Sequence, residues 1–307
     1  MKQTTNAILL VSPTSFGFNP ETAQSNVFQN DIHLEKKLIQ QSAYKEWENV
    51  CAMLSKEGVD IITIIDTENP IKPDAIFPNN WITTHHGGQI ILYPLLAQNR
   101  RIEKRSGIVD ELKKMYAVLD VIDLSYFEEK SQFLEGTGSM VFDRKNKIIY
   151  ACLSTRTHVE PLTYFTKLLG YSTITFHAFN HEKPIYHTNV VMSIGTKWAC
   201  VCFDAIPDKK EREEIEKSLI RTGKEIIPIT HEQLEAFAGN TLELQSKGVT
   251  SKIVMSETTK KSLTPKQLKI FSRYGDICSV DVPIIEQVGG GGIRCLIAEI
   301  FLPSRHV

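Results

Sequence analysis

A chain of 307 residues is long enough to bury a substantial core, and its 42% hydrophobic and 23% charged residues exclude a disordered or fibrous protein. Its 35 basic and 36 acidic side chains give a formal net charge of −1, so no general attraction to nucleic acid or to an anionic membrane is expected. Six widely spaced cysteines and the lack of a signal-peptide pattern exclude a secreted disulfide scaffold and predict reduced thiols in the cytoplasm.

The predicted elements begin with an apolar strand at "NAILLVS" (6–12), followed by a helix over about 41–57 and a closing strand at "VDIITII" (59–65). This first unit has only one strand before its helix. The last apolar run of the chain, "CLIAEIFLP" (295–303), has the composition of the missing strand. We therefore expect the C-terminal segment to close the first unit.

Four further units follow, each a hairpin of two short strands, an amphipathic helix and one more strand. The hairpins are predicted at 81–94, 139–153, 189–203 and 241–256, the helices at 100–117, 158–169, 208–222 and 257–273, and the closing strands at 117–124, 172–176, 225–229 and 276–282. Five units give a period of about 60 residues, which is typical of a radial or stacked array. A doubly wound α/β sheet is the alternative, but it would not place a hairpin before each helix.

In a radial array the starts of the first strands meet near the axis, and chemically active side chains recur at this position. They are Asn79 and Asn80 in "FPNNW", Glu135 in "FLEGTGSM", His187 and Asn189 in "IYHTNV", Asn240 in "FAGNTL" and Cys295 in "GGGGIRCL". A thiol, an imidazole and a carboxylate can supply a nucleophile, a proton carrier and an orienting acid. The pattern therefore predicts a cysteine-dependent site at the axis.

Each of these residues also has an ordinary structural explanation. An isolated cysteine before an apolar run is usually a core residue, Glu135 is compatible with a loop charge, and His187 with a buried structural histidine. The glycines at 289–292 favour a functional thiol, because they allow close approach of the backbone to a ligand. They do not indicate a phosphate loop, since no Gly-Lys-Ser/Thr motif follows.

Two other groups of potential ligands are not predicted to form sites. Cys200 and Cys202 lie near several histidines but lack the spacing of a structural zinc site, so no metal is expected. His85 and His86 precede a Gly-Gly pair and are predicted in an exposed hairpin turn.

Taken in order, the Glu-Gly, His-x-Asn and glycine-run-then-Cys motifs resemble those of the guanidine-modifying superfamily, which includes arginine deiminases, dimethylargininases and amidinotransferases. The resemblance covers nearly the whole chain and is closest to the branch of citrulline-utilisation hydrolases. It implies an α/β fold, the five-bladed α/β propeller of ββαβ units called the pentein fold. It further implies one catalytic domain over residues 1–307, no cofactor, and a small amino acid as substrate.

By this resemblance Cys295 is the nucleophile, His187 shuttles the proton and activates the hydrolytic water, and Glu135 orients the substrate or holds His187. Arg156 in "LSTRTH" matches a position that grips the substrate α-carboxylate, which suits a bidentate guanidinium, and Arg101 is a second candidate for that end. The remaining substrate-binding candidates are Asn19, Asn79, Asn80, Asn189 and Asn240.

The chain departs from the arginine deiminase pattern at acidic positions. Asparagine stands at 80 and 189 where those enzymes carry acidic residues, and Glu-Gly-Thr-Gly at 135–138 replaces Glu-Gly-Gly-Asp. A buried guanidinium without its counter-charges costs several kcal/mol, whereas an amide suits a neutral ureido group. These departures favour citrulline as substrate, cleaved to ornithine, ammonia and carbon dioxide through an S-carbamoyl enzyme.

Other functions remain open at this point. They are an arginine or methylarginine hydrolase, an amidinotransferase, and a propeller that binds an amino acid or a protein without turnover. The sequence also leaves open whether the chain forms a homodimer.

Overall fold

The computed structural model describes residues 1–305. These residues contain five three-stranded sheets with the same strand arrangement. In each sheet two strands form an antiparallel pair, and a third strand lies parallel to the middle one. The first strands of neighbouring sheets contact each other: Ala298–Ile300 contacts Ile82–Thr84, and Met192–Ile194 contacts both Val141–Asp143 and Leu242–Gln245. This is the arrangement of blades around an axis.

In chain order, the strands are β1 (Ala7–Val11), β2 (Asp60–Ile64), β3 (Ile82–Thr84), β4 (Gln89–Leu92), β5 (Asp120–Asp123), β6 (Val141–Asp143), β7 (Ile148–Cys152), β8 (Ser172–Phe176), β9 (Phe179–Asn180), β10 (Lys183–Pro184), β11 (Met192–Ile194), β12 (Trp198–Val201), β13 (Glu225–Pro228), β14 (Leu242–Gln245), β15 (Ser251–Ser256), β16 (Asp276–Val280) and β17 (Ala298–Ile300). Strands β9 and β10 form a separate small hairpin.

The helices lie between the hairpins and the closing strands, and short helical turns precede several first strands. The α-helices are α1 (Pro20–Ala23), α2 (Lys36–Lys56), α3 (Ser106–Met115), α4 (Gly136–Ser139), α5 (Val159–Leu169), α6 (Thr188–Val191), α7 (Lys209–Arg221), α8 (His231–Glu235), α9 (Glu257–Ser262), α10 (Pro265–Tyr274) and α11 (Pro283–Gly289). The 3₁₀ helices are Pro78–Asn80, Gln98–Glu103, Ser125–Lys130, Phe203–Ala205 and Ile293–Leu296.

The C-terminal strand completes the first sheet, as the sequence predicts. Strand β1 pairs in parallel with β2 and antiparallel with β17, with Ala7 opposite Ile300 and Leu9 opposite Ala298. The propeller is therefore closed by two strands from opposite ends of the chain.

Helix α2 shows why the amphipathic segments become blade helices. Its buried residues are Ile39, Ala43, Glu46, Trp47, Val50 and Leu54. Their spacing of three and four residues places them on one helix face, which packs in the same apolar cluster as Ile8 and Leu10 of β1. No helix in residues 1–305 is long and apolar enough to cross a membrane.

Several details differ from the sequence-based expectation. The helix expected at 257–273 is two helices, because Thr264 and Gln267 form a capping box and Pro265 begins a new helix. Helix α11 was not predicted; its first turn donates Ile284 N–H and Ile285 N–H to Glu46. His85 is not exposed but buried, with its Nε2 2.8 Å from Thr83 Oγ1.

Candidate active site

Five short segments carry the predicted site residues to the axis, and Asn240 lies in the one that precedes β14. Asn79 and Asn80 lie in the 3₁₀ turn before β3, and Glu135 and His187 precede the single-turn helices α4 and α6. Cys295 lies in the 3₁₀ turn before β17, not on the strand itself. Cys295, His187 and Asn80 line one cavity, which we call the active-site cavity.

The glycine run before Cys295 is tightly packed. It begins where α11 ends, and Gly290 has a φ of +63°, in the left-handed region that favours glycine. The Tyr186 hydroxyl donates to the Gly290 carbonyl at 2.8 Å. A Cβ on Gly291 would lie 3.2 Å from Cys295 Sγ. The glycines therefore let the backbone turn sharply beside the sulfur, and the run does not form a phosphate loop.

Two amide groups contact the thiol. Asn240 Nδ2 lies 3.3 Å and Asn189 Nδ2 3.7 Å from Cys295 Sγ. Burial raises the pKa of the Cys295 thiol, although these donors and the nearby Arg294 act in the opposite direction. Burial therefore favours the thiol over the thiolate at Cys295.

His187 and Glu135 form a buried pair, with His187 Nε2 2.9 Å from Glu135 Oε2. Burial opposes charge on the carboxyl, but Arg156, His187 and Arg100 together hold the pKa of Glu135 well below its usual range. Burial lowers the pKa of His187 to about 4, although Glu135 opposes this shift. We therefore assign neutral imidazole with its proton on Nε2, donated to the carboxylate.

The other ring nitrogen of His187 is then an acceptor, and its surroundings leave room for it. A Cβ on Gly138 would lie 2.7 Å from His187 Nδ1 and 2.8 Å from Asn80 Nδ2. Glycine at this position of "EGTG" therefore keeps the proton-accepting edge of His187 clear.

Arg156 lies in the wall of the active-site cavity, but its guanidinium already donates hydrogen bonds within the protein. Its Nε and Nη2 donate to Ser25 Oγ at 2.9 and 2.8 Å, and Nη2 also donates to the Thr22 carbonyl at 2.8 Å. Nη1 lies 3.4 Å from Glu135 Oε2, and the guanidinium lies 4.6 Å from the centre of the Tyr186 ring. A substrate carboxylate that reaches Arg156 must share these donors.

Of the two adjacent arginines, the structure places Arg100 rather than the predicted Arg101 at the cavity. Arg101 is partly exposed, lies 3.4 Å from Glu128 and is not among the lining residues. Arg100 is buried, donates to Asn80 Oδ1 at 2.8 Å and pairs with Glu103 at 2.9 Å. The sequence pattern "NRR" did not distinguish the two residues.

Asp74 is a cavity residue that the sequence pattern missed. Asn19 Nδ2 and Thr22 Oγ1 donate to its Oδ2 at 2.6 and 3.0 Å. Its Oδ1 is buried and has no hydrogen-bond partner within residues 1–305. Asp74 lies outside the strand starts, in the loop "KPDAIFPNN", and only its closeness in sequence to Asn80 could have indicated it.

Asn19 and Asn79 make hydrogen bonds to residues that line the active-site cavity. Asn19 orients Asp74. Asn79 accepts from Asn80 Nδ2 at 3.2 Å and donates to Thr137 Oγ1 at 3.3 Å. No group of three or more His, Cys, Asp or Glu side chains that could hold a metal occurs in the part of the chain that the structure describes.

Comparison with known proteins agrees with this architecture. The family model described as N,N dimethylarginine dimethylhydrolase, eukaryotic, matches residues 12–302. No curated protein matches the chain in sequence.

Three solved structures show the similarity in three dimensions. Apo ArgZ, an arginine dihydrolase from the ornithine–ammonia cycle in cyanobacteria, is 16% identical with a TM-score of 0.74 over 97% of this chain and 41% of that chain. The N-terminal domain of ArgZ bound to substrate is 17% identical with a TM-score of 0.72, over 96% of this chain and 99% of that chain. DDAH from Pseudomonas aeruginosa, complexed with citrulline, is 14% identical with a TM-score of 0.66, over 97% and 99% of the two chains. The five-bladed α/β propeller expected from the sequence is confirmed.

Proposed function

Because this chain belongs to the N,N-dimethylarginine dimethylhydrolase family, we propose that it is a cysteine hydrolase of ureido amino acids with citrulline as its substrate. The family lies within the pentein superfamily, whose hydrolases act on non-peptide carbon–nitrogen bonds. The observation that carries the choice of substrate is the environment of the sulfur. The side chains within hydrogen-bond distance of Cys295 Sγ are the amides of Asn189 and Asn240 rather than carboxylates. An amide matches the carbonyl and NH₂ of a neutral ureido head without a counter-charge.

The geometry supports general-base activation of the nucleophile. Both Cys295 and His187 are uncharged before the reaction begins, so the thiol proton passes to His187 as sulfur attacks the ureido carbon. Glu135, hydrogen-bonded to the opposite nitrogen, stabilises the imidazolium that forms. The tetrahedral adduct then expels the alkyl amine, which takes the proton from His187 and leaves as ornithine.

The second half of the reaction regenerates the thiol. His187 accepts a proton from water, and the resulting hydroxide attacks the S-carbamoyl carbon. Cleavage of the carbon–sulfur bond releases carbamic acid, which decomposes to ammonia and carbon dioxide, and the proton on His187 returns to sulfur. One water is consumed for each citrulline.

A guanidinium substrate, such as arginine, is the second candidate, and Asp74 is the observation that favours it. Its buried Oδ1 has no partner within residues 1–305 and lies in the wall of the active-site cavity. A carboxylate oxygen there can pair with a cationic nitrogen. With citrulline as substrate, the same oxygen accepts from its NH₂ or ammonium group.

Binding to a variant without the nucleophile separates the candidates. Isothermal titration of Cys295→Ala with citrulline and with arginine should give tighter binding of citrulline; tighter binding of arginine would overturn the ureido assignment. Incubating the active chain with citrulline, followed by rapid acid quench and mass spectrometry, should show a carbamoyl adduct on the Cys295 peptide.

Ammonia release then tests turnover itself. Citrulline should release ammonia and ornithine with the wild-type chain and neither product with Cys295→Ala. Binding without any product from citrulline or arginine would instead support a non-enzymatic role.

A further inference from the structure

A second cavity lies at the axis, and we call it the axial cavity. Phe142 of β6, Ser193 of β11, Glu243 of β14 and Glu299 of β17 line it, so four of the five sheets contribute. It shares no lining residue with the active-site cavity. Asn189, whose amide contacts Cys295, lies in its wall.

Arg144 gives this cavity an unpaired positive charge. The residue is only 2% exposed, its Nη1 has no hydrogen-bond partner, and no carboxylate of residues 1–305 lies within 4.0 Å of its guanidinium. By contrast, the buried Arg100, Arg156 and Arg294 each pair with a glutamate. Burial of a charge without a partner costs free energy, so a bound anion in the cavity would stabilise the buried Arg144 guanidinium.

The packing around Arg144 leaves Nη1 of its guanidinium for such an occupant, while the Tyr171 hydroxyl lies against another part of the group. Its guanidinium carbon lies 4.6 Å from the centre of the Phe142 ring and 3.9 Å from that of Phe301. Aromatic rings cover a guanidinium face and leave its in-plane N–H groups to hydrogen-bond acceptors.

The carboxylates that line the cavity already have donors. Glu299 Oε2 accepts from Arg294 at 3.0 Å. The oxygens of Glu243 accept from the backbone N–H of Thr196 at 2.7 Å, from its hydroxyl at 2.9 Å, and from the Ser251 hydroxyl at 2.9 Å. Neither carboxylate therefore serves as the direct counter-ion of Arg144.

Three residues of the wall each carry a buried polar atom that has no partner within residues 1–305, and these atoms define the chemistry of an occupant. Arg144 Nη1 is a donor, Ser193 Oγ can donate, and Asn189 Oδ1 is an acceptor. A small planar oxyanion with one hydroxyl matches this set, because it accepts from two donors and donates to one acceptor. We infer that the axial cavity is a binding site for a small oxyanion of this kind, with bicarbonate as the matching ligand.

The test uses ¹³C-labelled bicarbonate and the full chain at constant ionic strength and mildly alkaline pH. The wild-type protein should broaden the bicarbonate ¹³C resonance saturably. Arg144→Gln should weaken binding roughly tenfold or more, because it removes the charged donor. Formate, which lacks the hydroxyl, should compete several-fold more weakly, and chloride at equal concentration should not compete.

Two further variants separate this site from the active-site cavity and from misfolding. Arg156→Gln, which alters a buried guanidinium of the active-site cavity, should keep bicarbonate binding; loss of binding there would place the anion in the active-site cavity and overturn the inference. Ser193→Ala removes one donor with little change of volume and should weaken binding a few-fold. Unchanged binding in both Arg144→Gln and Ser193→Ala, or equal displacement by chloride, would likewise overturn it. If Arg144→Gln does not fold, unchanged bicarbonate binding in Ser193→Ala is by itself sufficient to overturn the inference.

Discussion

The protonation states of two residues set the reactivity of the proposed nucleophile. Burial raises the pKa of Cys295, and burial lowers the pKa of His187 to about 4. If the two residues formed a thiolate–imidazolium pair, alkylation would reach a plateau in the neutral range. If Cys295 and His187 are instead both uncharged, alkylation should become faster as the pH rises into the alkaline range, because more of the thiol is then converted to thiolate.

This behaviour can be measured on the Cys295 peptide. Its rate of iodoacetamide labelling, followed by mass spectrometry, should increase throughout the range from weakly acidic to alkaline pH. The buried Cys200 thiol, whose pKa burial also raises, serves as an internal comparison. A rate that is constant across the neutral range would contradict general-base activation.

Asp74 should contribute to substrate binding through its unpartnered oxygen. Asp74→Asn keeps the shape but removes the charge, and we expect kcat/KM for citrulline to fall roughly tenfold or more, since a hydrogen bond to a charged group contributes about 1.5–3 kcal/mol. The exposed Asp281→Asn is a matched control and should leave kcat/KM unchanged. If Asp74→Asn has the same kcat/KM as the control, Asp74 is only a structural partner of Asn19.

The buried His187 also makes stability depend on pH. Its pKa is about 4 in the folded chain against an ordinary value of 6.5, so the unfolded state binds more protons between these values. The free energy of unfolding should therefore rise with pH across this window, and the low pKa of Glu135 acts in the same direction at still lower pH. His187→Gln should flatten the dependence between about pH 4 and 6.5 in urea titrations; an equally steep dependence in that variant would assign the effect to other groups.

At the scale of elements, the hairpin–helix–strand pattern predicted all five blades because alternating and helical periodicities depend on local sequence. The pairing of β17 with β1 was also predictable, since one unit lacked a strand. The break at Pro265 and the helix after Val282 depend on capping and on Glu46, which periodicity does not reveal. Asp74 was missed for a different reason: it reaches the cavity from an irregular loop, and only the packed structure shows where its free oxygen lies.

The turn that carries the thiol should be sensitive to any added side chain. A methyl group at Gly291 would lie 3.2 Å from Cys295 Cβ and Sγ, so Gly291→Ala should displace the sulfur and lower kcat while the chain stays folded. Gly107 has no atom within 4 Å of the equivalent position and lies in α3, so Gly107→Ala should preserve activity and stabilise by up to about 1 kcal/mol. Equal kcat values for the two variants would show that the crowding at Gly291 is unimportant.

At the scale of the whole molecule, closure of the propeller and placement of the nucleophile depend on the same segment. Cys295 lies just before β17, and β17 joins the blade that begins with β1. Loosening this strand should therefore free the thiol as well as destabilise the fold. Ile300, buried opposite Ala7, is the residue to test, because Ile300→Ala removes apolar contacts and should cost about 2–5 kcal/mol of unfolding free energy.

The exposed Ile220 in α7 provides the matched substitution, and Ile220→Ala should change stability by less than about 0.5 kcal/mol. In urea titrations of Ile300→Ala, loss of citrulline hydrolysis and exposure of Cys295 to labelling should occur at the same denaturant concentration as loss of the sheet signal in circular dichroism. This coincidence is expected because β17 is an edge strand of the first blade, where it contacts β3 of the next blade. If the thiol became reactive well before the sheets unfolded, the closing strand would open independently, and the site would be held by the turn at Ile293–Leu296 alone.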